Sequence, residues 1–422
     1  MKIYDLIIIG AGASGSMAAI QAARRGASVL LIEKNEKLGK KLYITGKGRC
    51  NLTNNSDIQT HLNNTIRGAK FMNGAIRRFS PADTMEMFEP YVSLKTEHGN
   101  RVFPVSDNSR DIISALNKML SNAGAEVALN TTVKKIDKQS DVFNILCSNN
   151  IKYQSYSVLI ATGGISYSAT GSTGDGYTFA KSFGHNIVEP KPALVPIIVK
   201  ENVKDIEGLS LKFVEASVKI DGKIVAREFG EMLFTNNGVS GPIILTLSSK
   251  INRCNLDNAK LYIDFKPKLS VEMLEDKFIR EFKEFAKKNV STYLKTLLPS
   301  SIIPHFMTKY GILDKKVSEL SKIDRNILIN GLKKFDLSIN LLDNIEKAII
   351  TSGGVDLTEV SPKNYESKLV PNLYFAGEVL DIDALTGGFN LQIAFSSGFV
   401  VGDSVRLERW YFGYVLQYFF HF

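Results

Sequence analysis

"YDLIIIGAGASGSMAAIQAARRGASVLLIEKNEKLGKK", residues Tyr4 to Lys41, decides the fold. Leu6 to Ile9 is apolar at every position, with no polar alternation. That pattern suits a parallel strand covered on both faces. Gly10, Gly12 and Gly15 follow at once as G-x-G-x-x-G. The first glycine permits a tight turn, the second a close approach to a pyrophosphate, and the third close packing of helix on strand. Ala19, Ala22 and Ala23 keep the sheet-facing side of the helix small, and Gly26 ends it. Val29 to Ile32 forms the second strand, and Glu33 stands at its carboxyl end. A carboxylate there accepts ribose hydroxyls and disfavours a 2′-phosphate, which leaves NAD or FAD rather than NADP. A glycine triplet alone is weak evidence. Here strand, helix, second strand and terminal acid all fall in register.

The bulk of the chain sets bounds on the rest. With 422 residues it is long enough for two or three domains. At 44% hydrophobic and 23% charged it has the composition of a folded protein, not a disordered one. Cys50, Cys147 and Cys254 form no CxxC, and the five histidines lie apart, so neither a disulfide framework nor a metal site is expected. Asp5 and the glycine turn interrupt the N-terminal apolar run, and no run reaches the ~20 residues of a membrane span. The expected location is cytoplasmic. The net charge of +9 is spread out, without a basic run or recognition-helix signature. Nucleic acid is therefore not an expected partner.

Three features favour FAD over NAD. "YSVLIATGG" (Tyr156 to Gly164) is an apolar strand that follows an expected β-meander in "AEVALNTTVKKI" and "VFNILCSN". Ala161, Thr162 and Gly163 then lie at the cofactor. "NLYFAGEVLDIDALTGGFNLQIAFSSG" holds another short strand ending in Gly377-Glu378. Its last helix begins near Gly388, Phe389 and Asn390, so its positive end points inward, where a reduced flavin carries negative charge. The first glycine turn, with Ala13, is expected to hold the pyrophosphate and the last one the flavin ring. The loop "KLGKKLYITGKGRCNLTN" lies along the cofactor and contributes polar Lys41, Arg49, Asn51 and Thr53; Lys34 and Gly48 complete that side.

The motifs "GAGASG", "GKKLYITGKGRCNLTN", "RVFPVSD", "ATGGISYSATGSTGDGY", "GEMLFTNNGVSGPIIL", "TSGGVDL" and "LYFAGEVLDIDALTGGFNLQIAFSSG" span about residues 3–405. In these the chain resembles the bacterial BaiN-type, aminoacetone oxidase-like flavoprotein family. The resemblance implies noncovalent FAD and a two-dinucleotide-type, Rossmann-like α/β flavin domain with an inserted domain. It implies hydride transfer with a small organic substrate, as a reductase of an unsaturated carbonyl or an oxidase of an amine. By position it puts Ser14 in the phosphate turn and Glu33 on the ribose. Lys41, Arg49, Cys50 and Asn51 then lie along the cofactor, and Val133 meets the adenine. Gly377, Glu378, Asn390 and Leu391 border the ribityl chain and flavin ring. Two positions depart from the pattern: Ser168 where many relatives carry proline, and Lys47 where they carry glycine.

The expected flavin domain is discontinuous, 1–190 with 350–405. Between them lies an insert over 191–349, β-rich over 191–265 and helical over 270–349, read as a β-barrel with a small helical cluster. In its helical part "VEMLEDKFIREFKEFAKK" places Met273, Phe278, Phe282 and Phe285 on one face. Residues 406–422 form an atypical aromatic tail. No second G-x-G-x-x-G occurs, so NAD(P)H is expected only as a transient electron donor sharing the substrate cleft. Cys50 reads as a packed residue rather than a reactive thiol, while Tyr167 and Arg101 are open as substrate contacts. Ser240 in "GVSGP" has no evident base, and no catalytic acid or base is assigned. The competing class is a non-catalytic flavin-binding sensor or nucleic-acid-associated flavoprotein.

Overall fold

The computed structural model describes residues 2–407. From residue 408 onward the expected tail lies outside the described residues. The chain forms two units, one from residues up to Lys191 and from Ile349 onward, the other from Pro192–Ala348.

The first unit is built on β1 (Ile3–Ile9), α1 (Ala13–Arg24) and β2 (Val29–Ile32). Residues Leu6 to Ile9 are buried, because β1 is flanked on both sides by parallel strands. One neighbour is β2 and the other is β3 (Lys152–Ile160). The first half of β3 pairs antiparallel with Val142–Cys147, and its second half pairs parallel with β4 (Leu373–Phe375). A strand from the far end of the chain thereby joins the sheet. The expected meander is present as Val133–Gln139 and Val142–Cys147. The stretch before it behaves differently: Glu126–Ala128 is a separate strand, parallel to β2. Asn130, at φ 51°, turns the chain between the two.

The last helix, α2 (Phe389–Ser404), packs on α1 through glycine. A Cβ on Gly398 would stand 2.2 Å from the Ser14 carbonyl oxygen, and one on Gly402 2.5 Å from that of Ala18. The spacing "GFVVG" thus lets the two backbones touch, a small-residue contact like those that draw helices together elsewhere. Among the described residues no helix is long and apolar enough to cross a membrane.

The second unit is a closed barrel of six antiparallel strands with helices. Around the barrel the strands run Ile197–Val199, Gly238–Ser240, Lys223–Thr235, Ser210–Ile220, Lys260–Asp264 and Phe335–Leu342. The last of these corrects the expectation that 270–349 is helical. Phe335, Leu337 and Ile339 are fully buried while Asp336 and Ser338 are not, an alternation of period two that makes a strand. On the helix Val271–Phe285 the buried face holds Leu274 and Phe278, whereas Met273 is exposed. Phe278, Phe282 and Phe285 surround the fully buried Tyr293, with ring centroids 5.1–5.4 Å away.

Candidate cofactor site

The carboxyl ends of β1 and β3 lie side by side, where an open parallel sheet binds its ligand. Gly10 turns there at φ +103°, and a Cβ on it would be 2.5 Å from the Ala161 carbonyl oxygen. The turn is followed by a cleft with about 1220 Å³ of empty space, part of it open to solvent. All its lining residues belong to the first unit.

Both glycine turns reach this cleft. Gly12, Ala13 and Ser14 line it from the start of α1, and Asn390, Leu391 and Ala394 from the start of α2. No side chain caps the first turn of α1, so its amides are available to a ligand. A Cβ on Gly12 would meet nothing within 4 Å, which leaves a cradle open at the helix's positive end. Gly377 locks the two helices from behind. Its N–H donates to Ser397 Oγ at 3.0 Å, and Ser14 Oγ donates to Ala376 O at 3.3 Å.

At one end of the cleft stands Glu33, buried at 8% exposure. Its Oε2 accepts from Ala11 N at 2.8 Å, and its Oε1 from Asn35 N and Nδ2 at 2.9 and 2.7 Å. A carboxylate has about four acceptor sites. Three are used, so Glu33 keeps about one for a ribose hydroxyl rather than two. Thr131, Thr132 and Val133 line the cleft beside it, the Thr131 N–H donating to Glu33 O at 2.9 Å. Lys34 pairs with Asp175 at 2.7 Å and holds the 170–175 segment over this end. Ala161, Thr162 and Gly163 line the middle, while Thr162 Oγ1 is turned toward Gly176, on which a Cβ would stand 2.1 Å from it.

At the other end Lys41 Nζ donates to Glu378 Oε2 and Ser166 Oγ, both at 2.7 Å. Glu378 Oε1 also accepts from Thr351 N at 2.8 Å and Ser166 Oγ at 3.1 Å. Behind Glu378, burial pushes the Tyr177 phenol far up, helped by the nearby carboxylates Glu378 and Asp381, so it stays neutral.

The remaining expected residues do not line the cleft. Gly15 lies within α1 on the face against the turn, where a Cβ would be 1.9 Å from the Gly10 carbonyl oxygen. Gly48 turns at φ +85° in the following loop. Arg49 points away: it stacks 3.9 Å over Phe103 and pairs with Glu97 and Asp107 at 2.8 and 2.9 Å. Cys50 is fully buried, and burial pushes its thiol up to about 12. Asn51 braces α2 instead, its side-chain oxygen accepting from Gly388 N at 3.0 Å and its nitrogen donating to Thr53 O. Gly388 itself would put a Cβ 2.3 Å from the Thr53 carbonyl. Asn390 reaches the cleft, yet its amide also fixes Ala384 through bonds of 2.9 and 2.7 Å. Lining residues outside the expected set include Asn35, Lys40, Thr131, Phe179 and Ile350, and also the 170–175 segment, whose signal in the sequence is the glycine-rich "ATGSTGDG".

The family of the HI0933-like protein Rossmann domain matches residues 4–404. The chain belongs to this family. Ribosomal RNA dihydrouridine synthase of Haemophilus influenzae is 29% identical over 407 residues, covering 95% of this chain and 98% of the relative. The 3-dehydro-bile acid delta(4,6)-reductase of Clostridium scindens is 28% identical over 400 residues, covering 94% and 97%. Among solved structures, 3-ketosteroid delta1-dehydrogenase from Sterolibacterium denitrificans shares the fold at a TM-score of 0.52 and 14% identity, covering 96% and 99%. This HI0933-like protein is an FAD-dependent oxidoreductase with a Rossmann-type FAD-binding domain. The cleft fits that cofactor: an open glycine cradle at a helix start, and beside it an acid with an acceptor site to spare.

Proposed function

We propose that this HI0933-like enzyme reduces a carbon–carbon double bond conjugated to a carbonyl. The observation that carries the reading is one cleft reached by both glycine turns, which gives a flavin a single seat. The names of two nearly full-length relatives add the bond type. Dihydrouridine differs from uridine by saturation of a double bond conjugated to a ring carbonyl. A delta(4,6)-reductase of a 3-dehydro bile acid acts on double bonds conjugated to a 3-oxo group. When bound, FAD supplies the two-electron chemistry.

The chain's residues bind and orient the cofactor noncovalently. Amides at Gly12, Ala13 and Ser14 hold the pyrophosphate, Glu33 the adenosine ribose, and Val133 the adenine. Lys41, Glu378, Asn390 and Leu391 border the flavin end. NAD(P)H serves as a transient donor, reducing the flavin slowly and without preference between NADH and NADPH, since no second ribose-reading acid accompanies a phosphate turn. A small ring enone is the first substrate reading. Uridine in RNA is the second, favoured by ribosomal RNA synthase relatives in two organisms.

The test is anaerobic. The flavin is photoreduced, then mixed with cyclohexenone, a 3-oxo-4-ene steroid, their saturated ketones, and ribosomal RNA transcripts. Reoxidation by enones alone supports the first reading, and reoxidation by RNA alone the second. Bleaching of the oxidised flavin by amines, with no reoxidation by any unsaturated carbonyl, would make the enzyme an amine oxidase and sink the proposal.

A further inference from the structure

Lys41 is held in a way that cofactor binding alone does not require. It comes from the loop after β2, Ser166 from the loop after β3, Thr351 from the strand Ile350–Val355, and Glu378 from the turn after β4. Four segments distant in sequence thus meet in one network. Every contact in it is between 2.7 and 3.1 Å. Gly164 permits the approach, since a Cβ there would be 2.3 Å from Thr351 Oγ1 and 3.1 Å from Glu378 Oε1. Thr351 Oγ1 in turn accepts from the Ile165 and Ser166 amides at 2.9 and 3.1 Å. The Lys41 and Glu378 side chains are only 23% and 14% exposed, and both line the cleft.

The other cleft lysines stand elsewhere. Lys34 is paired with Asp175, and Lys40 lies within reach of Glu36 and Asn35, on the Glu33 side. Lys41 is the cleft cation on the side where α2 begins. Flavin reduction by two electrons and one proton leaves one negative charge on the cofactor. A poorly solvated cation nearby favours that form, and a carboxylate bound to the cation opposes it.

We propose that Lys41 is a positioning residue that sets how readily the bound flavin is reduced, with Glu378 as its counterweight. This deepens the reading of the cleft as the flavin's seat and rests on it. Removing the cation leaves Glu378 facing the cofactor, so reduction becomes harder. Neutralising Glu378 leaves Lys41 uncompensated, so reduction becomes easier. The two substitutions act in opposite directions, which damage to the fold would not produce.

The experiment is a redox titration of the FAD-loaded full-length protein, with xanthine and xanthine oxidase as electron source and a reference dye as standard. Its readout is the flavin and dye absorbance, with no substrate needed. Lys41→Met is expected to lower the equilibrium constant for flavin reduction about tenfold, a shift of about 30 mV for a two-electron couple. Glu378→Gln is expected to raise it by a similar factor. Lys41→Arg, which keeps the charge, is expected to stay within a factor of about three of the parent. If Lys41→Met loses FAD, Glu378→Gln and Lys41→Arg still carry the test. Equal potentials in all FAD-bound variants, or shifts of the same sign, overturn the inference. Failure of the parent protein to bind FAD would instead overturn the reading of the cleft.

Discussion

Gly398→Ala separates helix packing from cofactor contact. The new Cβ would stand 2.2 Å from Ser14 O, 3.0 Å from Ser14 C and 3.1 Å from Ser14 Cα. All three are backbone atoms, so no side chain can rotate aside. Restoring an ordinary separation of roughly 3.2 Å requires α1 and α2 to part by about 1 Å. Overpacking of this kind costs about 1–3 kcal/mol. Backbone clash places it at the upper end, and the better helix propensity of alanine returns about 1 kcal/mol. The net loss is about 2 kcal/mol, or a fall in Tm of roughly 4–8 °C for a unit of this size. Ser14 forms one wall of the cleft and Asn390, Leu391 and Ala394 another, so the same movement widens the FAD seat. A displacement of about 1 Å is enough to cost a site one to two orders of magnitude. FAD affinity, measured by flavin fluorescence quenching, is expected to fall at least tenfold. Gly12→Ala is the control. Its φ of −78° suits alanine and nothing lies within 4 Å, so apo Tm should stay within about 1 °C while FAD binding falls steeply. Parental Tm and FAD affinity in Gly398→Ala would refute the reasoning.

Glu33→Ala should weaken FAD binding by about 1.5–3 kcal/mol, read as a rise in Kd; an unchanged Kd removes Glu33 from the site. Lys47 sits at φ 59°, a left-handed conformation that costs a side chain about 1–2 kcal/mol, so Lys47→Gly should stabilise the protein by about 0.5–1 kcal/mol in urea melts after the entropy of glycine is subtracted. Burial pushes the Cys50 and Cys147 thiols up to about 12 and about 11, so a thiol reagent at pH 8 should modify exposed Cys254 rapidly and the other two only on unfolding. Burial also depresses His61, whose Nε2 donates to Asn54 O at 2.8 Å in the neutral ring. The unfolded chain then binds the extra proton first, so stability is full above about pH 6.5 and is lost as pH falls toward the folded value. His61→Gln should shrink the difference between urea midpoints at pH 7.5 and 5.5, with buried His185 supplying what remains; an undiminished difference would clear His61 of the effect.

The parts of the site legible in the sequence were those where backbone geometry dictates residue type. Gly10, Gly12 and Gly15 are glycines because a Cβ would strike a carbonyl or fill the cradle, and Glu33 follows from its place at a strand end. Asn390 and Leu391 were reached from the start of α2. The family resemblance places Arg49, Cys50 and Asn51 along the cofactor, but a loop turning at Gly46, Lys47 and Gly48 sends Arg49 outward and buries Cys50, in keeping with its reading as a packed residue. Their partners, Glu97 and Asp107 for Arg49 and Gly388 for Asn51, are distant in the chain, and no local pattern announces them. The strand Phe335–Leu342 was hidden for a different reason. Its alternation is short and lies among helices, so a window centred on them averages it away.

The cleft is closed by residues from both ends of the folded chain, and this fixes an order of events during synthesis. Gly12 leaves the ribosome 378 residues before Asn390, the difference between 390 and 12. At about 5–20 residues per second that gap lasts roughly 20–75 s. Throughout it β1 lacks the β3–β4 side of its sheet or α1 lacks its glycine partner, while the barrel, one continuous stretch, has all its strands once Leu342 emerges. Cofactor loading therefore waits until α2 has emerged, and nascent chains arrested before α2 should pull down with a barrel-directed antibody but carry no flavin.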